Sequence, residues 1–310
     1  MEINVIVNQL IILFLLIGLG YGLRKAKIMG DTLDSGITKL IIYCSMPAMV
    51  LGAVISRTGE KDVSLVIKFI IYAIGMYTLL PLIAFLVTKL LRVKKNIQGI
   101  YQYLIIFANV GFMGFPLIRA IFGNDAILYA SIFNMFFNVL AYSYGVVIVS
   151  KDSTKENSKF KFNVKTLLTP GISLSLLALV LFFLDIKVPS MVGEAVNYVG
   201  SITTPLAMMI IGSTLAKMNP RDVFTDIRVY VYVLVRSILI PLALFPLMKL
   251  LIPDSFALQM TFIMLAMPAA STSVLYAKEY GSDESFAARC VFLSTLLSVL
   301  TIPLLLIICF

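Results

Sequence analysis

Apolar residues run along this chain in stretches of about 20, the length that crosses a roughly 30 Å hydrocarbon core, with short polar turns between them. The pattern predicts ten membrane-spanning helices near residues 4–23, 35–56, 64–91, 98–122, 126–149, 167–185, 190–216, 227–249, 255–279 and 285–309. The most polar interruption, SKDSTKENSKFKFNVK, falls between the fifth and sixth spans. It separates a first half, 1–150, from a second, 167–310, by a short linker at 151–166. The first apolar run, Val5 to Tyr21, has no basic leader and no small-residue cleavage site, so it reads as a retained span and not as a signal peptide.

Two of the ten spans carry residues that a membrane helix avoids at its centre. The fourth contains Asn109, Val110, Gly111, Gly114 and Pro116, and the ninth contains Pro268, Ala269, Ala270, Ser271, Thr272 and Ser273. Freed backbone groups at bilayer depth have no water to bond. Helices interrupted at matching places in two halves are the best sequence pointer to a secondary transporter's binding site. The matching is visible elsewhere. CSMPAMVLGAVIS in the second span parallels SITTPLAMMIIGSTLA in the seventh, with Pro47 and Pro205 158 residues apart. YTLLPLIAFL in the third parallels SILIPLALFP in the eighth, with Pro81 and Pro241 160 apart. At 158, Gly123 falls on Gly281, Asp125 on Asp283, and Asn109 beside Pro268. Five spans per half is an odd number, so the second copy enters the membrane upside down.

Charge orients this scheme. Lys and Arg number eighteen in and beside the odd-numbered loops, and six on the opposite side. The positive-inside rule then places the odd loops in the cytoplasm of a plasma (inner) membrane and both termini outside. Composition agrees: 60% of residues are hydrophobic and 13% charged, against roughly a quarter charged in soluble domains. The net charge of +9 sits in the short loops, which is not the distribution of a nucleic-acid surface. Cys44, Cys290 and Cys309 show no paired spacing, and there is no histidine, so disulfide, metal and His-based acid–base chemistry are not expected.

The candidate site is built on the two breaks. Where a helix restarts inside the membrane it presents free N–H groups and the positive end of its dipole, and two such ends suit a carboxylate. Asn109 adds an amide, Ser271, Thr272 and Ser273 add hydroxyls, and Gly111, Gly114, Ala269 and Ala270 leave room for close approach. The bland alternative is that Gly and Pro only kink two packed helices. Asn134 and Asn138 lie four apart on one face, as do Ser294 and Ser298 160 residues later. Such a stripe suits a hydrated wall or interhelical hydrogen bonding equally. Arg236, well inside the eighth span, either meets an anion or a helix C-terminus, or snorkels toward the cytoplasm. The glycines of GLGYG (Gly18, Gly20, Gly22) sit inside an apolar span and read as a close-packing face, not a nucleotide loop. No Asp or Glu lies mid-span among Asp185, Glu194, Asp254 and Glu279, which argues against proton relay and leaves Na+ as the more favoured coupling ion.

GLGYGLRKAKIM, NVGFMGFPLIRAIFG, ITTPLAMMIIGSTLA and MPAASTSVLYAKEYG with STLLSVLTIP together resemble the auxin efflux carrier (PIN-like) transporter family, across nearly the whole chain. The resemblance implies an all-α fold of ten helices in a five-plus-five inverted repeat, with helices 4 and 9 crossing. It implies a scaffold (1–57 plus 167–218) beside a transport unit (64–150 plus 227–310) that moves like an elevator, a homodimer through the scaffold, and an organic carboxylate substrate such as malate or malonate. The long central loop of many plant members is absent. A membrane-embedded enzyme would need a nucleophile–base pair or metal ligands that this chain does not supply. A sensor that binds its ligand without moving it is the other reading.

Overall fold

The computed structural model describes residues 3–56, 62–152, 170–184, 188–217 and 223–310. The greater part of the expected linker, the start of the sixth span, Arg57 and Lys61, Asp185 to Lys187 and Arg221 lie outside the described residues. Every regular element is helical among the described residues, and the one β-type contact is an isolated bridge. The helices are α1 (Ile3–Lys25), α2 (Asp31–Ile55), α3 (Val63–Leu90), α4 (Gln98–Ile106), α5 (Val110–Phe122) and α6 (Ala126–Ser150). After the linker come α7 (Pro170–Leu184), α8 (Ser190–Ala216), α9 (Ile227–Leu251), α10 (Ser255–Ala266), α11 (Thr272–Tyr280) and α12 (Glu284–Cys309). Among the described residues seven helices are long and apolar enough to cross a membrane, and Val110–Phe122, Ser175–Leu184 and Ser255–Ala266 are shorter apolar helices.

The exposed surface confirms the environment. Leu15, Ile71, Phe85 and Leu300 are 69%, 58%, 54% and 68% exposed, which is tolerable for large apolar side chains only against lipid. Apolar burial then cannot drive helix association, because lipid tails are as apolar as leucine, and close packing at small residues takes over.

The chain forms two compact units. The first comprises Met1–Ile70, Gly111–Met135 and Leu168–Asn219. Its axis is the pairing of α1 with α8. A Cβ on Gly20 would strike the Met209 carbonyl and a Cβ on Gly212 would strike the Ile17 carbonyl, so glycine on each helix lets the other backbone in. Of the three glycines in GLGYG, only Gly20 makes such a contact, and Gly18 and Gly22 face open space. Gly200 does the same between α8 and α2, where a Cβ would lie 2.7 Å from the Met49 Cα. Polar bonds close one end of this unit. Asp34, buried at the start of α2, accepts from Ser213 Oγ (2.6 Å) and Arg24 Nη1 (3.3 Å) and lies 3.5 Å from Lys217 Nζ.

The second unit comprises Ile71–Val110, Phe136–Leu167 and Pro220–Phe310. Within it α12 packs on α9, α11 and α4, and α10 packs on α9. Glu284 opens α12 behind Asp283, whose side chain caps it by accepting from the Phe286 N–H at 2.8 Å. Asp254 caps α10 in the same way through Ala257. α9 contains a π-turn, Val235–Leu239, that carries Arg236 and Ser237 into the interior, both buried.

Candidate functional site

Both interruptions are real breaks in the helices. α4 ends at Ile106 and the chain turns extended at Phe107 (φ −101°, ψ 101°). α10 ends at Ala266, and Met267 takes φ −57°, ψ 145°, the extended conformation that a following proline imposes. The two extended stretches then pair. The Asn109 N–H donates to the Pro268 carbonyl (2.8 Å) and the Ala270 N–H donates to the Phe107 carbonyl (3.1 Å), with Ala108 opposite Ala269 in an antiparallel bridge. Val110 N–H donates back to Ala108 (2.8 Å), and Ala269 N–H donates to Ser294 Oγ (3.2 Å). Backbone that water cannot reach is thus satisfied by the other break and by one serine of α12. Ala108, Ala269 and Ala270 are all buried, which fits a crossing where larger side chains would force the strands apart.

The helix ends that lead into the breaks are tied to one neighbour. The Tyr232 hydroxyl donates to the Leu104 carbonyl in the last turn of α4 (2.9 Å), and Arg236 Nη1 donates to the Leu265 carbonyl in the last turn of α10 (2.8 Å). Tyr232 and Arg236 lie four apart on α9, on one face. Arg236 is 0% exposed, so it does not snorkel. It meets a helix C-terminus, where positive charge opposes the negative dipole end. Its Nε and Nη2 have no hydrogen-bond partner among the described residues.

The hydroxyls of the second break are occupied differently from one another. Ser273, fully buried, donates from Oγ to the Ala270 carbonyl (2.7 Å) and stabilises the restart of α11. Thr272 Oγ1 and the Tyr103 hydroxyl share a hydrogen bond of 3.1 Å. Ser271 is exposed and makes no capping bond to α11. Aromatic rings crowd the same neighbourhood: Tyr103 packs on Phe107 at 4.4 Å and edge-on to Tyr276 at 5.2 Å, and Phe137 stands edge-on to Phe107 at 5.5 Å. Asn138 is half-buried on α6 in this unit, and Asn109 and Val110 are buried at the break itself.

Gly111, Gly114, Pro116 and Asn134 belong to the first unit. There a Cβ on Gly111 would lie 3.2 Å from the buried Asn134 Oδ1 and 3.5 Å from Met46 Cε, so the glycine lets the carboxamide come close. Gly114 closes the π-turn Val110–Gly114, and Pro116 follows it directly in the α-helical Phe115–Phe122.

Four residues were not anticipated in the roles they play: Tyr103, Tyr232, Ser294 as a backbone acceptor, and Asp152. Asp152, buried just beyond α6, accepts from the Gly99 N–H (2.7 Å), the Ile100 N–H (2.8 Å) and Ser282 Oγ (2.7 Å). It caps α4 from 53 residues away and ties the α11–α12 turn to it. Burial pushes its carboxyl above the ordinary carboxylate range, and the three donors oppose that shift. The spacing of Tyr232 and Arg236 was a readable signal, but nothing local announces the partners of Asp152.

Comparison with known proteins places the chain. The family model described as "Membrane transport protein" matches residues 5–306. An uncharacterized transporter of Methanocaldococcus jannaschii is 22% identical over 305 residues, covering 96% of each chain. An uncharacterized transporter of Methanothermobacter thermautotrophicus is 23% identical over 289 residues, covering 93% of each.

Proposed function

The chain belongs to the membrane transport protein family, the PIN-like family its motifs resemble, and from that premise we propose that it is a carrier for a small organic anion. Family and relatives are membrane transporters, not enzymes. The substrate class proposed is a mono- or dicarboxylate such as malate or malonate. The carrying observation is the paired break: two interrupted helices whose unwound backbones bond each other beside a buried carboxamide, Asn109. Helix restarts of this kind attract carboxylates.

An inverted repeat of ten spans is part of the proposal. Seven long helices and three short apolar ones supply ten spans when α4 with α5, and α10 with α11, each count as one crossing. Phe107 and Pro268, whose carbonyls each accept a bridge bond, are 161 residues apart; so are Leu104 and Leu265, the carbonyls held from α9. Gly123 and Gly281 end their helices at φ 86° and 72° and are 158 apart. The spacing falls from 161 to 158 because the first restart opens with a π-turn and runs Val110–Phe122, longer than Thr272–Tyr280. At the break itself the equivalence is therefore Asn109 with Ala270.

Elevator-like alternating access is part of the proposal, with 64–150 plus 227–310 as the moving unit beside a scaffold of 1–57 plus 167–218; both extended stretches lie in the second compact unit, while 111–135 groups with the first. A homodimer through the α1, α2, α7 and α8 unit, cytoplasmic odd-numbered loops in the plasma membrane, and Na+ in preference to H+ complete the proposal. The buried carboxylates Asp34 and Asp152 both sit near helix ends and hold structural donors, which supports that preference.

Uptake of labelled malate, malonate and related acids into proteoliposomes tests the reading. Accumulation dependent on the protein is the expected result. Binding and thermal stabilisation without movement of any acid would leave the sensor reading standing and sink the carrier.

A further inference from the structure

Away from the breaks, the second unit holds a cavity of about 360 Å³ at the end of α3. Its rim carries Arg92, Lys94 and Arg228, and its wall includes Tyr101, Ile227 and Phe286. Three features mark it as built for a ligand. Arg228 is held in place: Nε and Nη2 donate to Asp226 at 2.9 and 2.7 Å, and its guanidinium lies 5.5 Å from the Phe286 ring centre. Asp226 also meets Arg289 at 3.4 Å, so one carboxylate serves two guanidiniums and does not neutralise both. Arg92 and Lys94 have no ion-pair partner among the described residues. Finally, Tyr101 is 3% exposed, stacks on Phe286 at 5.8 Å, and its hydroxyl has no hydrogen-bond partner among the described residues. A buried phenol without a partner on the wall of a cationic cavity wants an acceptor, and the acceptor that also suits three cations is a phosphate.

The surroundings decide whose phosphate. Leu91 and Ile227 at the mouth are 41% and 71% exposed, at helix ends that continue the lipid-facing surface. A soluble phosphate would use the cations and leave these walls idle. A phospholipid uses both, and basic pockets between helices near the membrane surface are suited to anionic headgroups. We infer that this cavity binds the headgroup of an anionic phospholipid, with the phosphate on Arg92, Lys94, Arg228 and the Tyr101 hydroxyl and an acyl chain along the apolar mouth. The site is independent of the substrate reading.

The test is lipid retention. Full-length protein is reconstituted in nanodiscs of mixed phosphatidylglycerol and phosphatidylcholine, extracted gently, and weighed by native mass spectrometry, with thermal stability followed in parallel. The wild type is expected to keep phosphatidylglycerol in preference to phosphatidylcholine. Arg92→Gln and Lys94→Gln should each weaken that retention about fivefold, the scale of one cation near a charged surface. Tyr101→Phe should weaken it with no change of charge, and Lys249→Gln, remote from the cavity, should leave it unchanged. Equal retention of both lipids, or full retention in the Arg92→Gln/Lys94→Gln double variant, overturns the proposal. So does stabilisation in lipid-free detergent by inorganic phosphate equal to that by phosphatidylglycerol, or a Lys249→Gln loss as large as the rim variants show.

Discussion

At the first break a carboxamide, Asn109, is carried into a buried position between Ala108 and Val110; at the second, three consecutive hydroxyls follow Ala270 and divide among separate tasks. The backbones of the two breaks act alike, each giving one carbonyl and one N–H to the bridge. Their side chains do not. Ser273 supports its own helix and Thr272 meets Tyr103, while Ser271 is exposed. Shared geometry therefore does not mean shared chemistry: the extended backbone is common to both breaks, and the amide is peculiar to the first.

The largest effect expected is at the residue that holds the second helix end. Arg236→Ala leaves the Leu265 carbonyl without its donor and a gap in the interior, at a cost of about 2–4 kcal/mol. Tyr232→Phe, the corresponding change at the first helix end, should cost only about 0.6–1 kcal/mol, as interhelical hydrogen bonds in membranes do. Thermal melts of the two variants measure the contrast, and equal losses would mean the guanidinium is no more than another donor.

Next come the break side chains. Asn109→Ala should reduce carboxylate affinity about 10- to 100-fold, the loss of one hydrogen bond to a charged group, with an unchanged melting temperature. Ser271→Ala should stay within about twofold, since the net worth of one exposed hydroxyl bond is small. Binding titrations decide this, and unchanged affinity in Asn109→Ala would remove the crossover as the substrate site.

A smaller effect concerns the cap on α4, which has no counterpart of its kind at α10. The Asp152 carboxyl is raised by burial, so the folded protein holds that proton more tightly than the unfolded chain. The stability it contributes is full below the ordinary carboxylate value and declines as pH rises through the raised one. Melting temperatures across the acidic range should show that decline in the wild type and a flatter profile in Asp152→Asn. α10 takes its cap from Asp254, which directly precedes it and accepts from the Ala257 N–H at 2.7 Å, and that cap should not respond to Asp152→Asn. Smallest is Ser273→Ala, which removes one bond at the restart of α11 and should cost about 0.5 kcal/mol without altering affinity.

Much of this was readable in the chain. Apolar length announced the spans, and Gly, Pro and Asn at their centres announced both breaks, because each residue type has a local effect on backbone that any neighbour would leave intact. The offset between the two breaks was readable to within three residues, 158 at Gly123 and Gly281 against 161 at Phe107 and Pro268, because the π-turn that opens Val110–Phe122 has no local sequence mark. Arg236 stood out as a cost that something had to offset, yet two destinations for it were open until Leu265 was found beside it.

What the sequence determined by itself is the class of molecule: a bilayer-spanning helical chain of the transport family, interrupted at two places. The tertiary structure alone decided which groups answer those interruptions. Pro268 meets Asn109, Gly99 meets Asp152, and Gly20, not Gly18 or Gly22, admits a neighbouring helix. Hydropathy and breaking residues act within a turn or two of themselves. A freed carbonyl or a buried carboxylate is satisfied by whatever the packing brings within about 3 Å, and in this chain those partners lie up to 179 residues away, as Ser213 does from Asp34.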